Sequence, residues 1–456
     1  MTESKKTPAR PTLKAVRGTR DLLPDQTPLW NHVEATARAL FARYGFGEIR
    51  TPIFETTELF ARGVGEETDI VSKEMFTWED RARAASEKAQ QLTLRPENTA
   101  GVVRAYIEHK LGETGQLQKL YYIGPQFRRE RPQRGRYRQF WQIGAEVIGP
   151  QSSGSESPLR DAEILEMLAS FLDELGIRDW RLELNSVGSS EDRVRYNAAL
   201  REALQPIKHQ LCEDNQRRAD TNPLRVLDSK EEADQDLINA LPKIADYLGP
   251  ESKAHFDQVL AALDACKVPY HLNPRLVRGL DYYTRTTFEF TVTTGLGTQN
   301  ALLGGGRYDG LSEMLGGPKA PGIGFAIGED RLILTLQAQA EHDAAESATN
   351  PGAPGPDSRT WVSPRKLDAY IAPLTPAQNP AALALARELR TAGLTVEVGD
   401  GTFKLRKSFD IADTLARHII LLGEDEVSTA TATIKTFATG EQVKLPRADL
   451  TTRLRS

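Results

Sequence analysis

The 456-residue sequence predicts an α+β domain built around an antiparallel sheet, followed by a smaller α/β domain. Two apolar strands, LYYIG (120–124) and YRQFWQIGAEVIG (137–149), flank an arginine-rich loop, which is the pattern of an antiparallel pair. Toward the C-terminus, strand-like and helix-like stretches alternate, as they do around a mostly parallel sheet. Between the two parts, residues 338–364 are rich in Ala, Pro, Ser and Gly, which is typical of a flexible linker.

Helical patterns complete the first domain. Residues 30–44 have the spacing of an amphipathic helix, and Pro96 suits a helix N-terminus near Glu97. Residues 189–267 are mostly helical and charged, as expected of an inserted module. The predicted division is a disordered N-terminal tail (1–15), the α+β domain with its helical insertion (16–337), the linker (338–364) and the α/β domain (365–456).

The cysteine content and the hydropathy of the chain indicate the compartment in which the protein works. Cys212 and Cys266 are too few for a disulfide framework, and they form no cluster with metal-ligand spacing. The basic N-terminus lacks the apolar core of a signal peptide, and no run of about 18 apolar residues could span a bilayer. We therefore expect a cytoplasmic protein with no membrane partner and no metal held by protein side chains.

Positive charge is concentrated locally although the formal net charge is −5. The segment FRRERPQRGRYR (127–138) contains six arginines and a single acidic residue, Glu130. Such a distribution can bind phosphate groups at one place without attracting nucleic acid over the whole surface.

The second strand of the predicted pair has two different faces, because alternate side chains of a strand share a face. One face consists of Arg138, Phe140, Gln142, Gly144 and Glu146. The other consists of Gln139, Trp141, Ile143, Ala145 and Val147, and we expect it to pack on the core. The polar face could simply be exposed to solvent. The aromatic ring and the glycine beside an arginine cluster favour a ligand platform, on which a planar base stacks while arginines bind phosphates.

Five segments, in this order, resemble the motifs of histidyl-tRNA synthetases, a family of class II aminoacyl-tRNA synthetases. They are YGFGEIRTPIFE (44–55, motif 1), LTLRPENTAGVVRAYIEHKL (92–111, amino-acid binding), YYIGPQFRRERPQRGRYRQFWQIGAEVIG (121–149, motif 2), LVRGLDYYTRTTFEF (276–290, the histidine signature) and GFAIGEDRLIL (324–334, motif 3). The resemblance extends from about Val16 to the C-terminus. It implies a class II synthetase-like catalytic domain and a C-terminal domain similar to anticodon-binding domains.

The resemblance also implies an activity, histidine–tRNA ligation. Such an enzyme makes histidyl-adenylate from histidine and ATP, then transfers the histidyl group to the 3′ end of tRNA(His). Positioning and charge neutralisation dominate such phosphoryl chemistry, and Mg²⁺ would screen the β and γ phosphates. By resemblance, the catalytic cations are Arg128, Arg278 and Arg331, and the ATP site also includes Glu130, Arg136 and Phe140.

Recognition of histidine requires partners for both ring nitrogens, since a neutral imidazole has one donor and one acceptor. By resemblance, Glu146 and Tyr283 fill these roles, with Tyr282 beside them. The remaining histidine-binding residues that the resemblance implies are Glu97, Thr99 and Gln142 at the ammonium group, Arg278 at the carboxylate, and Tyr308 with Gly304–Gly306 in the pocket wall.

The resemblance places the acceptor stem of tRNA at the loop of motif 2, where Arg129, Arg131 and Gln133 lie. Motif 1 implies a symmetric homodimer. Two features depart from the family pattern. Asn98 stands where the family often has glycine, between two expected ligands of histidine, and the 338–364 linker is longer and richer in Pro and Ala than usual.

Other classes of function remain as alternatives. A regulatory paralogue of histidine biosynthesis would bind histidine on the same scaffold without aminoacylation, but such proteins usually lack the C-terminal domain and some ATP-site arginines. An RNA-binding module with a decayed active site would not need Arg128, Glu130, Arg278 and Arg331. A class I synthetase is excluded, since the sequence contains no HIGH-like or KMSKS-like segment.

Overall fold

The computed structural model describes residues 12–65, 68–81, 89–277, 280, 282–297, 300–349 and 366–455. The chain divides into two compact units, Met1–Trp361 and Val362–Ser456. Among the described residues, no helix combines the length and the apolar character needed to cross a bilayer.

The first unit combines strands and helices. Its strands are β1 (Gly47–Glu48), β2 (Phe54–Thr56), β3 (Phe76–Asp80), β4 (Gln90–Leu94), β5 (Gln118–Phe127), β6 (Gln139–Ile148), β7 (Trp180–Ser186), β8 (His271–Leu272), β9 (Thr284–Val292), β10 (Ala301–Arg307) and β11 (Gly322–Gly328). Its α-helices are α1 (Thr27–Arg43), α2 (Thr57–Val64), α3 (Thr99–Glu108), α4 (Pro158–Glu174), α5 (Ser190–Leu204), α6 (Glu213–Thr221), α7 (Gln235–Asn239), α8 (Pro250–Cys266), α9 (Leu311–Met314) and α10 (Glu329–Thr349).

A large sheet organises this unit, with the strand order β1-β5-β6-β11-β10-β9-β7-β8. Only the two edge pairings, β1 with β5 and β7 with β8, are parallel; the pairings between them are antiparallel. The predicted strand pair is β5 and β6, with Gly124 opposite Gln142 and Tyr122 opposite Gly144. The prediction of an antiparallel sheet is therefore confirmed.

The two faces of β6 differ as predicted. Ile143, Ala145 and Val147 are fully buried in the main core, which helices α1, α4, α8 and α10 cover. Trp141 packs against the same core and is partly buried. The opposite face carries Glu146, which lies outside this core and bonds with Tyr308 and with Thr99 at the start of α3. The apolar face thus anchors the strand, and its polar face remains available for a site.

The predicted insertion is helical but does not behave as one body. Residues of α5, α6 and α7 form a separate small core with side chains such as Tyr196, Leu200 and Ile238. Helix α8, by contrast, contributes Val259 and Leu263 to the main core and packs on α4. The end of the predicted 189–267 module therefore belongs to the main body, because α8 has a continuous apolar face that the small module cannot cover.

One boundary differs from the sequence-based expectation. Helix α10 continues to Thr349, so the first part of the predicted 338–364 linker is helical. The run AQAEHDAAESA there is dominated by residues of high helix propensity, which allows the helix to continue once motif 3 has nucleated it. The remainder of the predicted linker and most of the predicted N-terminal tail lie outside the described residues.

The second unit is an α/β structure with a mixed sheet. Its strands are β12 (Leu367–Pro373), β13 (Val396–Val398), β14 (Ala416–Leu422), β15 (Thr431–Thr436) and β16 (Gln442–Pro446), and its α-helices are α11 (Asn379–Thr391), α12 (Leu405–Leu415), α13 (Glu424–Ser428) and α14 (Leu450–Arg455). The strand order is β13-β12-β14-β15-β16. The pairings of β12 are parallel, whereas β14, β15 and β16 pair antiparallel. The expectation of a mostly parallel sheet is wrong in its second half, where a short connection at Gly440 joins β15 and β16 as a hairpin.

A buried ion pair joins the end of β10 to α4. Arg307 and Asp161 both have fully buried side chains, and Nη1 of Arg307 donates to Oδ1 of Asp161 at 2.5 Å. Arg307 also donates to the Ser155 carbonyl at 2.7 Å and to Asp309 at 2.9 Å. These bonds provide acceptors for the N–H groups of the guanidinium, which is buried away from water.

Removal of one member of this ion pair should destabilise the folded protein. In Arg307→Leu, Asp161 would keep a buried charge without its partner, so we expect the free energy of unfolding to fall by about 3–5 kcal/mol. All five tryptophans lie within Met1–Trp361, so tryptophan fluorescence during urea unfolding reports on this unit. The double variant Arg307→Leu/Asp161→Leu should recover part of the loss.

The exposed pair of Arg217 and Asp214 on α6 provides the control, since Arg217→Leu should change the free energy of unfolding by less than about 1 kcal/mol. Equal effects of the two arginine substitutions would contradict the importance assigned to the buried pair.

Candidate active site

The polar face of β6 forms the floor of a cleft with an empty volume of about 710 Å³. Predicted site residues in its lining are Arg128, Glu130, Arg136, Phe140, Gln142, Gly304 and Arg331. The floor continues across β11 and β10 through Ala326, Gly328 and Leu303, since these strands follow β6 in the sheet. One surface therefore collects residues from motif 2, motif 3 and the glycine-rich strand β10.

The Arg128 cation lies over the aromatic ring of the platform. The Arg128 guanidinium lies 5.2 Å from the centroid of the Phe140 ring, and its Nε donates to the Pro96 carbonyl at 2.9 Å. Glu130 lies between two arginines, 3.7 Å from Nη1 of Arg128 and 3.3 Å from Nη1 of Arg136. The carboxylate thus orders two cations at the edge of the cleft, beside a ring that can stack on a base.

Arg331 enters the same cleft from the first turn of α10. Burial lowers the pKa of its guanidinium, and the positive charge of Arg136 lowers that pKa further. Next to it, Asp330 binds Arg20 at 2.7 Å and accepts a hydrogen bond from the Trp141 backbone N–H at 3.1 Å. These bonds fix the start of α10 against β6. A buried arginine whose charge is opposed by a neighbouring cation forms a site suited to an anion.

Arg278, the third predicted catalytic cation, lies outside the described residues. Its neighbours in the histidine signature, Tyr282 and Tyr283, are described and buried.

A buried carboxylate lies at the far end of the same strand face. The Glu146 side chain is fully buried and accepts hydrogen bonds from the Tyr308 hydroxyl at 2.6 Å and the Thr99 hydroxyl at 2.7 Å. The Tyr122 hydroxyl lies at 3.5 Å. Burial raises the pKa of Glu146 to about 8, although the bonds from Tyr308 and Thr99 oppose that increase.

The neighbouring strand needs glycine opposite this carboxylate. Gly324 of β11 is paired with Glu146, and a Cβ atom at that position would lie 1.7 Å from the Glu146 Oε2 atom. Gly306 has a similar role toward the ring of Tyr283, which a Cβ would approach to 2.8 Å. The glycines of β10 and β11 therefore create the depth of the pocket.

Three tyrosine rings pack together beside the carboxylate, and one of them, Tyr308, bonds with it. The ring centroids of Tyr282 and Tyr283 are 4.8 Å apart, and those of Tyr282 and Tyr308 are 5.9 Å apart in an edge-to-face arrangement. Burial raises the pKa of Tyr282 and Tyr308 well above the usual value for tyrosine, so both hydroxyls remain protonated. Protonated hydroxyls around a carboxylate can donate to it or accept from a ligand.

Glu97 links the two halves of the site. Its carboxylate accepts from the backbone N–H groups of Thr99 at 2.7 Å and Ala100 at 3.1 Å, so it binds the N-terminus of α3. Burial raises the pKa of Glu97, whereas these two donors and the nearby Arg128 lower it. Its charge in turn contributes to the raised pKa of Glu146. The structure therefore brings Glu97, Thr99 and Glu146 together, and Gln142 lies on the same face of β6 as Glu146.

Asn98, the departure from the family pattern, braces this loop. Its Oδ1 atom accepts from the Thr51 hydroxyl at 2.6 Å and from Nη1 of Arg95 at 3.3 Å. The buried Arg95 guanidinium also donates to the carbonyls of Thr51 at 3.0 Å and Pro125 at 2.9 Å. Asn98 thus ties the loop between Glu97 and Thr99 to the segment that resembles motif 1.

The predicted contacts with an acceptor stem lie in the loop between β5 and β6. Arg129, Arg131 and Gln133 are all exposed there. The backbone N–H of Arg129 donates to the Glu74 carbonyl at 2.7 Å, and Gln133 pairs with Arg136 across the loop. The loop therefore has defined anchors while it presents its side chains to solvent.

Sequence reasoning missed several residues of the site. Glu289 lines the cleft from β9, and Tyr122 approaches Glu146 from β5. The alternation of Glu289 with the buried Phe288 and Phe290 was an available signal, since it puts a carboxylate on the face opposite the core. The contribution of Tyr122 had no such signal, because it depends on the register of β5 with β6.

Comparisons with known proteins extend over nearly the whole chain. A family model described as histidyl-tRNA synthetase matches residues 18–332, and one described as an anticodon binding domain matches residues 368–456. The histidine–tRNA ligase of Koribacter versatilis is 62% identical over 445 residues, which cover 97% of this chain and 96% of that protein. For that of Solibacter usitatus the identity is 50% over 444 residues, covering 97% and 99%.

Among solved structures, apo histidyl-tRNA synthetase of S. aureus is similar with a TM-score of 0.76 and 36% identity, covering 98% of this chain and 100% of that one. The predicted fold class is thereby confirmed. Because the family model spans more than half of the chain and full-length relatives match nearly all of it, the chain belongs to the histidyl-tRNA synthetase family.

Proposed function

We propose that this chain is the enzyme that ligates histidine to tRNA(His), with the residue roles set out below. In the first step a carboxylate oxygen of histidine attacks the α-phosphorus of ATP and pyrophosphate leaves. In the second step a hydroxyl of the terminal ribose attacks the carbonyl carbon and AMP leaves. The observation that carries the proposal is the buried Glu146 pocket, which shares one strand face with the arginine-lined cleft around Phe140.

The arginines are proposed to bind and orient the phosphates of ATP. Arg128 would bind the α-phosphate and the attacking carboxylate, because Pro96 and Glu130 hold it over the platform. Arg331 would bind the γ-phosphate and cover the adenine opposite Phe140, and Arg278 would approach the reacting carboxylate from the other side. A bound polyphosphate would stabilise the crowded charges of Arg136 and Arg331 and increase the pKa of Arg331 toward its usual value.

Mg²⁺ is proposed as a companion of ATP. Magnesium in nucleotide sites is usually held by phosphate oxygens with one or two carboxylates. Glu130 and Glu289 both line the cleft and would supply such carboxylates, although the sequence predicted no metal-binding side chain. When bound, the ion would neutralise charge on the β and γ phosphates as pyrophosphate leaves. The protein side chains themselves orient the nucleotide and the carboxylate.

Specificity for histidine is proposed to come from the buried pocket. Ionised Glu146 would accept a hydrogen bond from one imidazole N–H, and a hydroxyl from Tyr283 would satisfy the other ring nitrogen, with Tyr282 and Tyr308 as walls. The ammonium group would be bound by Glu97, Thr99 and Gln142. An amino acid without both ring nitrogens would leave buried groups unpaired, which a site of this kind penalises strongly.

Contacts with tRNA are proposed at two places. The exposed loop residues Arg129, Arg131 and Gln133 would contact the acceptor stem, and residues 365–456 would bind the anticodon region. The match of residues 368–456 to an anticodon-binding family model supports the second contact. Catalysis would then be confined to residues 16–337, and the second unit would add affinity and selectivity for the tRNA.

The active form is proposed to be a cytoplasmic homodimer with no membrane partner. Ile53 and Phe54 of motif 1 are 44% and 52% exposed, and Trp78 on β3 is 40% exposed. The rings of Phe54 and Trp78 lie 6.1 Å apart and form one apolar patch. Exposed clusters of this kind usually mark contact surfaces between proteins, which supports a second copy there.

The regulatory paralogue is not favoured. A protein that only senses histidine needs no cations for phosphates and no anticodon-binding domain. This chain has Arg128 and Arg331 in one cleft, and its second unit matches the anticodon-binding model.

The first test is ATP–pyrophosphate exchange with each of the twenty amino acids. We expect exchange with histidine alone, because the site that forms the adenylate also contains the pocket that selects imidazole. Binding of histidine by calorimetry without any exchange would overturn the enzymatic proposal and favour the regulatory function.

Glu146→Gln tests the imidazole pocket. An amide cannot accept the imidazole N–H while it also keeps the donors of Tyr308 and Thr99 satisfied, so KM for histidine should rise about 10- to 100-fold. KM for ATP should stay within about twofold, since Glu146 lies outside the phosphate cleft. The exposed Glu113→Gln serves as the matched control. Equal increases in both KM values would contradict the role of Glu146 in binding imidazole.

The pH dependence of KM provides a further test. Because the pKa of Glu146 is raised to about 8, the free pocket is mostly protonated at pH 7 and ionises as the pH rises. If the ionised form binds imidazole, KM for histidine falls about fivefold between pH 7 and pH 8. The fall should be absent in Glu146→Gln, and a flat wild-type profile would contradict the requirement for ionised Glu146.

A further inference from the structure

Arg285 has a backbone conformation that is unusual for its residue type. Its φ angle is +48°, in the left-handed region that favours glycine. It lies two residues after Tyr283 and one residue after Thr284, at the start of β9. A strained conformation at a bulky residue persists only where surrounding interactions impose it, so the partners of Arg285 identify what the strain serves.

The backbone of Arg285 binds the chain where the inserted helices begin. Its carbonyl accepts from the Val187 N–H at 2.7 Å, and its own N–H donates to the Gly188 carbonyl at 2.8 Å. Val187 and Gly188 lie between β7 and α5. Both backbone groups of Arg285 therefore bind the segment that leads from β7 into the inserted helices.

The side chain of Arg285 reaches the helix by which the chain returns. Its Nη2 atom donates to Oε1 of Glu251, in the first turn of α8, at 2.6 Å. Its Nε atom lies 4.0 Å from Oδ2 of Asp309. The Arg285 side chain is only 15% exposed, although the Glu251 side chain is 85% exposed. Arg285 thus contacts the chain just before α5, the first turn of α8 and, on its other side, Asp309.

Asp309 is bound to the segments that carry the two pocket tyrosines. It follows Tyr308 directly, its N–H donates to the Thr284 hydroxyl at 3.2 Å, and the Thr284 hydroxyl lies 3.3 Å from its Oδ2 atom. Thr284 follows Tyr283 directly. Arg307 donates to the same carboxylate at 2.9 and 3.1 Å. The position of this carboxylate therefore affects the residues next to both tyrosines.

We propose that Arg285 is a positioning residue for histidine recognition, through which the inserted helices set the places of Tyr283 and Tyr308. The proposal rests on the proposed function, since it assigns these tyrosines to the imidazole pocket. Arg285 contacts no substrate itself. Its contacts with Gly188 and Glu251 fix where its guanidinium lies relative to Asp309. Movement of the inserted helices would therefore alter the affinity for histidine more than the affinity for ATP.

A set of variants separates the backbone of Arg285 from its side chain. Arg285→Ala removes the guanidinium and keeps the strained φ angle, whereas Arg285→Gly removes the guanidinium and relaxes the strain. We expect KM for histidine to rise about tenfold in both, with KM for ATP within about twofold. The melting temperature of the glycine variant should equal or exceed that of the alanine variant, because glycine adopts the left-handed region freely.

Two further variants test the link to the insertion. Arg285→Lys keeps the charge but loses the second donor group, so its effect should fall between those of wild type and alanine. Glu251→Gln should raise KM for histidine by about twofold, since this end of the network is exposed. Asp257→Asn, which breaks an exposed ion pair with Lys253 on the same helix, is the control and should leave both KM values unchanged.

The outcomes distinguish this inference from the proposed function. Unchanged histidine KM in the alanine and glycine variants overturns the positioning role, and so does a parallel rise of both KM values with a lower melting temperature. Absence of histidine-dependent exchange in wild type overturns the proposed function alone. In that case the calorimetric affinity for histidine still tests Arg285, and a tenfold loss in both variants would support its role.

Discussion

Burial of the Glu146 carboxyl group is the constraint on which the rest of the catalytic unit depends. A carboxyl group without solvent is tolerated only when other groups complete its hydrogen bonds, and here hydroxyls from Tyr308 and Thr99 do so. Space for it exists because Gly324 lies opposite on β11. The glycines of β10 and β11, the tyrosines around the pocket and the N-terminus of α3 are all arranged around this one group.

The two chemical requirements of the site are separated along a single strand. Period-two alternation places Phe140, Gln142, Gly144 and Glu146 on one face of β6, which Arg138 precedes. The end near Phe140 is surrounded by arginines and suits phosphates, while the end at Glu146 is enclosed and suits a small polar ring. Neighbouring strands extend both environments, and the apolar face of the same strand binds it firmly to the helical core. Rigid support of this kind allows positioning to contribute to rate.

Structural ties outside the cleft connect its parts to the rest of the unit. Asn98 and Arg95 bind the Glu97 loop to the segment of motif 1. Asp330 binds the start of α10 to β6 and to Arg20. The Arg307–Asp161 pair and Arg285 link the end of β10 and the start of β9 to α4 and α8. These contacts use side chains distant in sequence, so each ligand-facing residue depends on several segments.

The sequence by itself determined the strand pair, the two faces of β6, the helices that flank them and most of the cleft, because local periodicity and motif order carry that information. Tertiary structure alone decided which groups complete Glu146, why Gly324 is required, and how Asn98 fits beside Glu97. It also decided that α8 joins the main core and that β15 and β16 form an antiparallel hairpin. The physical reason is that register, burial and cross-strand distance arise only when remote segments pack together.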